Sequence, residues 1–157
     1  MQKNSKLLYL LITLTFLVGV NSYFSNLIAS KLTKGWIYTG GLVNFVFEKN
    51  TGAAFSLLQD STRLLVAISI ISVFFIIYYI VRNIESLRVS EIFCASILLA
   101  GILGNLYERI FFGYVRDFFN LTFINFPVFN ISDVFINIGV FAIIILILTT
   151  KRPIKLL

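Results

Sequence analysis

Four apolar stretches, each near the length that spans a lipid bilayer, constrain the fold of this chain more than any other feature. They cover residues 7–29, 64–81, 92–106 and 129–150. A helix needs about 20 residues to cross the hydrocarbon core. The third stretch reaches that length if it starts near Ser90 and includes the polar segment 105–109. The backbone must satisfy its own hydrogen bonds in lipid, so we predict one membrane domain over residues 1–157. Its predicted helices lie at about 7–29, 64–81, 90–109 and 130–150.

The composition agrees with a membrane protein. Hydrophobic residues make up 59% of the 157 residues and charged residues 13%, against about 25% charged residues in an average soluble domain. Such a chain has too little polar surface to cover itself in water. The net charge of +6 does not indicate nucleic-acid binding, because the cations lie in small groups between the apolar stretches, where lipid head groups can bind them.

The positions of the cations predict the orientation in the membrane. Short cationic segments precede the first helix, connect the second helix to the third and follow the fourth. Their members are Lys3, Lys6, Arg82, Arg88, Lys151, Arg152 and Lys155. If all four helices span, these segments lie on one side, which the positive-inside rule makes cytoplasmic. Both termini are then cytoplasmic. The start of the chain also has the charged and apolar regions of a cleavable signal peptide, although no small-x-small cleavage site follows.

Two longer loops lie on the outer side, at residues 30–63 and about 110–130. In the first, segment 42–48 is rich in Val and Phe, which predicts β-structure, and residues 50–52 predict a turn. The second loop is rich in Phe and Tyr, as expected at a membrane interface. We therefore predict four transmembrane helices and a small β-containing region on the outer side.

The residue types narrow the possible chemistry. The chain has no histidine and one cysteine, Cys94. This excludes an intramolecular disulfide, a zinc site built from Cys and His, and any Ser-His or Cys-His catalytic pair. Of the seven acidic residues, Glu108, Asp117 and Asp133 cluster around the outer ends of the third and fourth helices. Ionisable residues at membrane depth are costly and are therefore candidates for function.

Asp117 and Asp133 can form a catalytic pair, because the two antiparallel helices that flank them are joined by a short loop. Two aspartates in one site hold a single proton between them. The ionised carboxylate can then take a proton from water while the protonated one polarises a scissile carbonyl, as in aspartic proteases. A structural interpretation stays open: Asp133 caps the fourth helix, and Asp117 pairs with Arg116 or Arg109.

Two further classes of protein fit the same residues. A small membrane transporter or channel component could use the carboxylates in an ion path, although the lack of an internal repeat argues against it. A structural subunit could use them only to pair helices. The spacing Gly101-x-x-Gly104 favours close helix packing, and the i, i+4 spacing places Asn105 and Arg109 on one helix face.

Four motifs resemble, in order, those of the lipoprotein signal peptidase family, also called signal peptidase II. They are Asn50-Thr51-Gly52-Ala53-Ala54-Phe55, Gly104-Asn105-Leu106-Tyr107-Glu108-Arg109, Gly113-Tyr114-Val115-Arg116-Asp117-Phe118 and Phe129-Asn130-Ile131-Ser132-Asp133. The corresponding family motifs are Asn-x-Gly-Ala-Ala-Phe, Gly-Asn-x-x-Asp-Arg, Gly-x-Val-x-Asp-Phe and Phe-Asn-x-(Ala or Ser)-Asp. Order, spacing and the four-helix topology match over nearly the whole chain.

The resemblance implies a bacterial aspartic endopeptidase that removes the signal peptide from prolipoproteins, just before a substrate cysteine that carries a diacylglyceryl group. By match to the last two motifs, Asp117 and Asp133 are catalytic. The positions that match residues lining or supporting the site are Asn50, Gly52, Asn105, Arg109 and Asn130.

The resemblance also implies the surroundings of the enzyme. We expect no metal, no cofactor and no nucleic-acid partner, and the partners are the diacylglyceryl-prolipoprotein and membrane lipid. The expected fold class is an all-α membrane protein with four transmembrane helices and a small β-containing periplasmic region. We expect a monomer in the cytoplasmic (inner) membrane, with both termini cytoplasmic and the active site near the periplasmic face.

The chain departs from the family in two places. Glu108 stands where the third-helix motif has Asp, which keeps the charge. In the first helix, Asn21 and Ser25 align with a usual Asp and Lys, so both charges are absent together. Loss of only one partner would leave a buried charge unpaired, at a cost of about 3–5 kcal/mol.

Overall fold

The computed structural model describes residues 1–35, 38–52 and 59–149. In these residues it contains four helices and two strands, in the order α1 (Lys3–Thr33), β1 (Val43–Asn50), α2 (Thr62–Asn83), α3 (Val89–Phe112), β2 (Val115–Leu121) and α4 (Ile131–Thr149). All four helices are long and apolar enough to cross a membrane. The predicted fold of four apolar helices with a small β-containing region is confirmed. The described residues do not include positions 53–55 of the first motif, the predicted helix end at 150, or the cations at 151, 152 and 155.

The first three helices extend beyond the apolar stretches that predict them, whereas α4 is described over Ile131–Thr149, within its stretch. The longest, α1, has 31 residues and a length of about 46 Å, more than the hydrocarbon thickness of about 30 Å. Helix α3 continues to Phe112 and ends because Gly113 adopts a left-handed conformation with φ of 81°. The Gly113 N–H donates to Arg109 O at 3.1 Å. Glycine is the usual residue at such a helix end.

Helix α3 lies at the centre of the bundle and packs against α1, α2 and α4. Its neighbour α2 has only Leu65 and Ile80 buried, so most of its apolar surface faces outward, as expected for a helix in contact with lipid. The main core cluster lies near the start of α3 and contains Leu10, Ile80, Ile84, Ile92, Ala95 and Leu99. This cluster packs α1, α2 and α3 against one another beside the short link between α2 and α3.

Small residues allow α3 and α4 to approach closely. A side chain at Gly101 would collide with the backbone of Ser132 and Ile136 on α4. A side chain at Gly104 would collide with the Asn21 amide and the Ser132 hydroxyl. The close packing predicted for the two glycines is therefore confirmed.

The aromatic loop predicted at 110–130 contains strand β2, which pairs antiparallel with β1. The sequence signal for this strand is weak because its apolar and polar residues do not alternate. Phe129 pairs with Phe119 through an isolated bridge on β2, so the strand has backbone partners on both edges. We call the end of the bundle that carries these strands the sheet end, and the opposite end, with the α2–α3 link, the link end.

A β-bulge in β1 sets which side chains face Asp117. Phe45 pairs with Phe119 and Glu48 with Asp117, so three steps along β1 correspond to two along β2. A shift of one residue moves side chains to the other face of a sheet. The extra residue therefore places Asn50, which pairs with Val115, on the same face as Asp117.

Candidate active site

Asp117 and Asp133 come together at the sheet end because both carboxylates bind to Asn130. The Asn130 Nδ2 donates to Asp117 Oδ1 at 2.7 Å, and the Asn130 backbone N–H donates to Asp133 Oδ2 at 3.1 Å. Asn130 and Asp117 are each 2% exposed. One buried residue therefore connects the two acids that the sequence singles out.

The fold places Asn130 through its neighbour on β2. Phe129 N–H donates to Phe119 O at 3.1 Å, and Phe119 N–H donates to Phe129 O at 2.9 Å. The next residue, Asn130, then lies beside Asp117 and precedes the first turn of α4. Its Oδ1 accepts from the Asp133 N–H at 3.0 Å, which completes a reciprocal helix cap. Asp133 thus caps α4, as the structural interpretation predicts, but only with its Oδ2.

Two further asparagines occupy the remaining carboxylate oxygens. Asn105 Nδ2, on α3, donates to Asp133 Oδ1 at 2.8 Å, and Asn105 Oδ1 accepts from Asn130 Nδ2 at 3.1 Å. Asn50 Nδ2, at the end of β1, donates to Asp117 Oδ2 at 2.9 Å. Each carboxylate therefore has donors from two different elements, which fixes its orientation.

Arg109 and Gly52 extend this network to the bend that follows β1. The Gly52 N–H donates to Asn50 Oδ1 at 2.9 Å, and Arg109 Nη2 donates to Gly52 O at 2.9 Å. The Arg109 Nε is buried and has no hydrogen-bond partner among the described residues. All seven predicted site residues thus belong to one connected set of hydrogen bonds.

The carboxylate of Asp117 is held by neutral amides. In the described part of the chain no cation pairs with it, since Arg116 binds Glu108 and Arg109 binds the Gly52 carbonyl. The alternative pairing of Asp117 with Arg116 or Arg109 is therefore not observed. Burial raises the pKa of Asp117 to about 7, and the Asp133 and Glu48 carboxylates also raise it, against the hydrogen bonds from Asn50 and Asn130.

Asn21 and Ser25, the two uncharged residues of α1 that align with a usual Asp and Lys, form hydrogen bonds with each other and with neighbouring segments. Asn21 Nδ2 donates to Ser132 Oγ at 2.8 Å and to Ala100 O at 3.4 Å. Ser25 Oγ donates to Asn21 Oδ1 at 3.4 Å. These contacts tie α1 to α3 and to the residue that precedes Asp133, so α1 is held without a charge in this position.

Sequence reasoning missed the partner of Glu108. This residue pairs with Arg116 across the turn between α3 and β2. The available signal was that Glu108 and Arg116, on either side of Gly113, carry opposite charges. The sequence alone could not decide whether Arg116 pairs with Glu108 or with Asp117.

The geometry suits proton transfer between carboxyl groups and water. Two carboxyls share a binding residue, and one of them has a pKa near neutrality because it is buried without a cation. A residue that only pairs helices would instead be expected to have a charged partner. Among residues 1–35, 38–52 and 59–149, no group of three or more His, Cys, Asp or Glu side chains could hold a metal ion.

Known proteins are similar to this chain in both sequence and fold. A family model described as signal peptidase (SPase) II matches residues 8–149. The lipoprotein signal peptidase of Streptococcus pneumoniae is 35% identical over 136 residues, which cover 87% of this chain and 86% of that protein. The lipoprotein signal peptidase of Caldicellulosiruptor bescii is 38% identical over 109 residues, 69% of each chain.

A solved structure of a bacterial membrane enzyme, determined by the in meso method at 2.3 Å resolution, has the same fold. It superposes with a TM-score of 0.77 at 26% sequence identity, and the match covers 93% of this chain and 94% of that one. The family match spans almost all of the described helices and strands, so it is not confined to one motif. This chain therefore belongs to the signal peptidase II family, the aspartic peptidases that remove signal peptides from prolipoproteins.

Proposed function

We propose that Asp117 and Asp133 are the catalytic pair of this signal peptidase II. The observation that carries the proposal is their common bond to Asn130 at a buried site where no cation pairs with Asp117 among the described residues. Because burial raises the pKa of Asp117 to about 7, we assign the shared proton to Asp117 near neutral pH. Asp133 then acts as the base.

The reaction follows from this assignment. Asp133 takes a proton from a water molecule, and the water oxygen attacks the scissile carbonyl carbon. Asp117 donates its proton to the carbonyl oxygen, which gives a neutral tetrahedral diol. Collapse of the diol breaks the C–N bond: Asp133 passes its proton to the leaving nitrogen, and a diol hydroxyl returns its proton to Asp117. The products are a carboxylic acid and a free amine, and both aspartates regain their starting states.

The other five residues of the network hold the pair in place. Asn105 and Asn130 orient the Asp133 carboxylate, and Asn50 and Asn130 orient that of Asp117. Arg109 holds the Gly52 carbonyl and so ties the end of the β1 segment to α3. Such fixed donors favour catalysis because no reorganisation is needed during the reaction.

The substrate is a prolipoprotein whose conserved cysteine carries a diacylglyceryl group, and cleavage occurs just before that cysteine. The position of the pair at the helix ends supports this. There the scissile bond can meet water while the signal peptide and the acyl chains remain in hydrocarbon. The enzyme acts as a monomer that also contacts membrane lipid.

The site lies near the periplasmic face of the cytoplasmic membrane, and both termini are cytoplasmic. The cations at the link end support this orientation, since Lys3, Lys6, Arg82 and Arg88 all lie at the start of α1 or around the α2–α3 link. Short cationic segments remain in the cytoplasm.

A cleavage assay tests the activity and the catalytic pair together. Purified protein is incubated with a diacylglyceryl-modified prolipoprotein, and mass spectrometry should detect a loss equal to the signal peptide. The same prolipoprotein without the lipid should remain uncut. Asp117→Asn and Asp133→Asn should fold normally and leave the substrate intact. Cleavage by either variant at the wild-type rate would refute the assignment.

Labelling of single cysteines tests the orientation. In a Cys94→Ala background, Ser86→Cys marks the link end and Asn125→Cys the sheet end, both at exposed positions. An impermeant thiol reagent added to intact cells should label position 125 and leave position 86 unlabelled. The reverse pattern would place the active site on the cytoplasmic side.

A further inference from the structure

Outside the seven residues of the site, the most tightly bonded pair at the sheet end is Glu108 and Arg116. Arg116 Nη2 and Nε lie 2.6 Å and 3.1 Å from Glu108 Oε1, and Nε lies 3.0 Å from Oε2. The Arg116 backbone N–H also donates to Glu108 Oε2 at 2.8 Å. The Arg116 and Glu108 side chains are 13% and 9% exposed. A two-pronged contact of this kind fixes orientation as well as distance.

The pair connects the strand of Asp117 to the helix of Asn105. Arg116 directly precedes Asp117 in β2, and alternation along the strand directs the two side chains to opposite faces. Glu108 lies three residues after Asn105 on α3. The carboxylate of Glu108 holds both the side chain and the backbone N–H of Arg116, so it fixes the Val115–Arg116 peptide, one residue before Asp117.

Arg116 has two additional contacts that extend the attachment. Its Nη2 donates to Asn26 Oδ1 on α1 at 3.0 Å, and its guanidinium carbon lies 4.5 Å from the centre of the Phe112 ring on α3. The start of β2 is thus attached to two helices at one point. Without this attachment, Asp117 would be placed by strand pairing and by the amides of Asn50 and Asn130 alone.

We propose that Glu108 and Arg116 are positioning residues for the catalytic pair. Their ion pair holds the Asp117 end of β2 against α3, and so sets Asp117 relative to Asp133, which Asn105 binds from the same helix. The proposal rests on the proposed function of the two aspartates. It concerns the placement of the acids and no contact with the substrate, so loss of the pair should lower kcat with little change in KM.

A double-mutant cycle tests this proposal. Glu108→Gln, Arg116→Met and the double variant are compared with wild type in the prolipoprotein cleavage assay, with thermal unfolding measured on the same samples. Each single variant should lower kcat on the order of 10-fold, and the double variant no further than the worse single one. Arg116→Lys, which keeps the charge but not the planar fork, should also lower kcat and is the variant to use if Arg116→Met does not fold.

The exposed pair at the link end supplies the control. Lys3 Nζ lies 3.7 Å from Glu85 Oε1, with the side chains 55% and 74% exposed. The matching cycle with Lys3→Met and Glu85→Gln should leave kcat unchanged. Lys6→Met, which removes a buried cation at the same end, should lower the thermal midpoint without lowering the kcat of folded protein.

The outcomes separate this inference from the proposed function. Unchanged kcat in folded Glu108→Gln and Arg116→Lys, with Asp117→Asn inactive, would overturn the positioning role alone. Losses that multiply in the double variant would also overturn it, because the two side chains would then act independently. Full activity in Asp117→Asn would instead refute the catalytic assignment itself.

Discussion

The two ends of the helix bundle bury charge in opposite ways. At the link end, Lys6 is 8% exposed, and its Nζ donates to Glu85 O at 2.8 Å and to Leu87 O at 2.6 Å. The hydrogen-bond acceptors of this cation are therefore two backbone carbonyl oxygens of the α2–α3 link. At the sheet end, Asp117 is 2% exposed and its hydrogen-bond donors are the neutral amides of Asn50 and Asn130.

This difference separates a structural charge from a reactive one. The Lys6 ammonium and the carbonyls of the link satisfy each other, so the contact ties α1 to the α2–α3 link. The amides around Asp117 orient its carboxylate but do not neutralise it, and burial therefore raises its pKa to about 7. A carboxyl with such a pKa can gain and lose a proton near neutral pH. We infer that chemistry is located at the end of the bundle where a buried carboxyl, that of Asp117, has a pKa near neutrality.

The largest expected effect contrasts the two ends directly. Asp133→Asn should lower kcat on the order of 10²- to 10⁴-fold, because it removes the proposed base, while the fold remains intact. Lys6→Met should leave kcat unchanged and lower the thermal midpoint, because two carbonyls lose their donor at about 1–3 kcal/mol each. Both variants are measured by cleavage rate and by unfolding in one detergent. A loss of kcat in Lys6→Met as large as that in Asp133→Asn would show that the buried charges at the two ends do not differ in their importance for catalysis.

A smaller loss is expected from removing the residue that connects the two acids. Asn130→Ala deletes the donor to Asp117 Oδ1 and to Asn105 Oδ1, so kcat should fall on the order of 10- to 10²-fold. Asn137→Ala is the matched control on α4, because Asn137 is exposed and donates only to Asp133 O at 2.9 Å. Equal rates for the two variants would show that the position of Asn130 is irrelevant to catalysis.

The third effect concerns stability and pH. Because the pKa of Asp117 rises from 3.8 to about 7 on folding, the folded state holds this proton more tightly than the unfolded chain. The resulting stability is complete below about pH 3.8 and is lost as the pH rises through about 7, by about 4 kcal/mol at most. The thermal midpoint of the wild type should therefore fall between pH 5 and 8, and that of Asp117→Asn should fall less. The control is Glu85→Gln, at an exposed position of the link end, whose thermal midpoint should change with pH as the wild type's does. If the thermal midpoint of Asp117→Asn also changed with pH as the wild type's does, the raised pKa of Asp117 would be contradicted.

The smallest expected effect is that of metal removal, which should leave kcat unchanged. The chain has no histidine and a single cysteine, and the proposed mechanism uses only the two carboxyls to activate water and polarise the carbonyl. Cleavage is measured before and after dialysis against a chelator. Loss of activity on dialysis, restored by added zinc, would show that catalysis requires a metal ion.

Much of the fold and the two candidate aspartates can be predicted from local patterns, whereas the other five candidate site residues were assigned through the family resemblance. Apolar stretches near spanning length predict helices, because an unsatisfied backbone is too costly in lipid. The scarcity of acidic residues and the absence of histidine then single out Asp117 and Asp133. The first β-segment was also predictable, since Val and Phe dominate it. Strand β2 was not, because its sequence Val-Arg-Asp-Phe-Phe-Asn-Leu does not alternate between apolar and polar residues.

The sequence by itself determined which charged residues flank the ends of α3 and α4, and only the tertiary structure decided how they pair. Arg116 lies next to Asp117 in the chain, but strand alternation turns it toward Glu108 and Asn26. The bulge in β1 decides that Asn50 faces Asp117. These partners lie far apart in the chain or on opposite faces of one strand. Their pairing depends on strand register and helix packing, and neither can be inferred from the composition and spacing of a single segment.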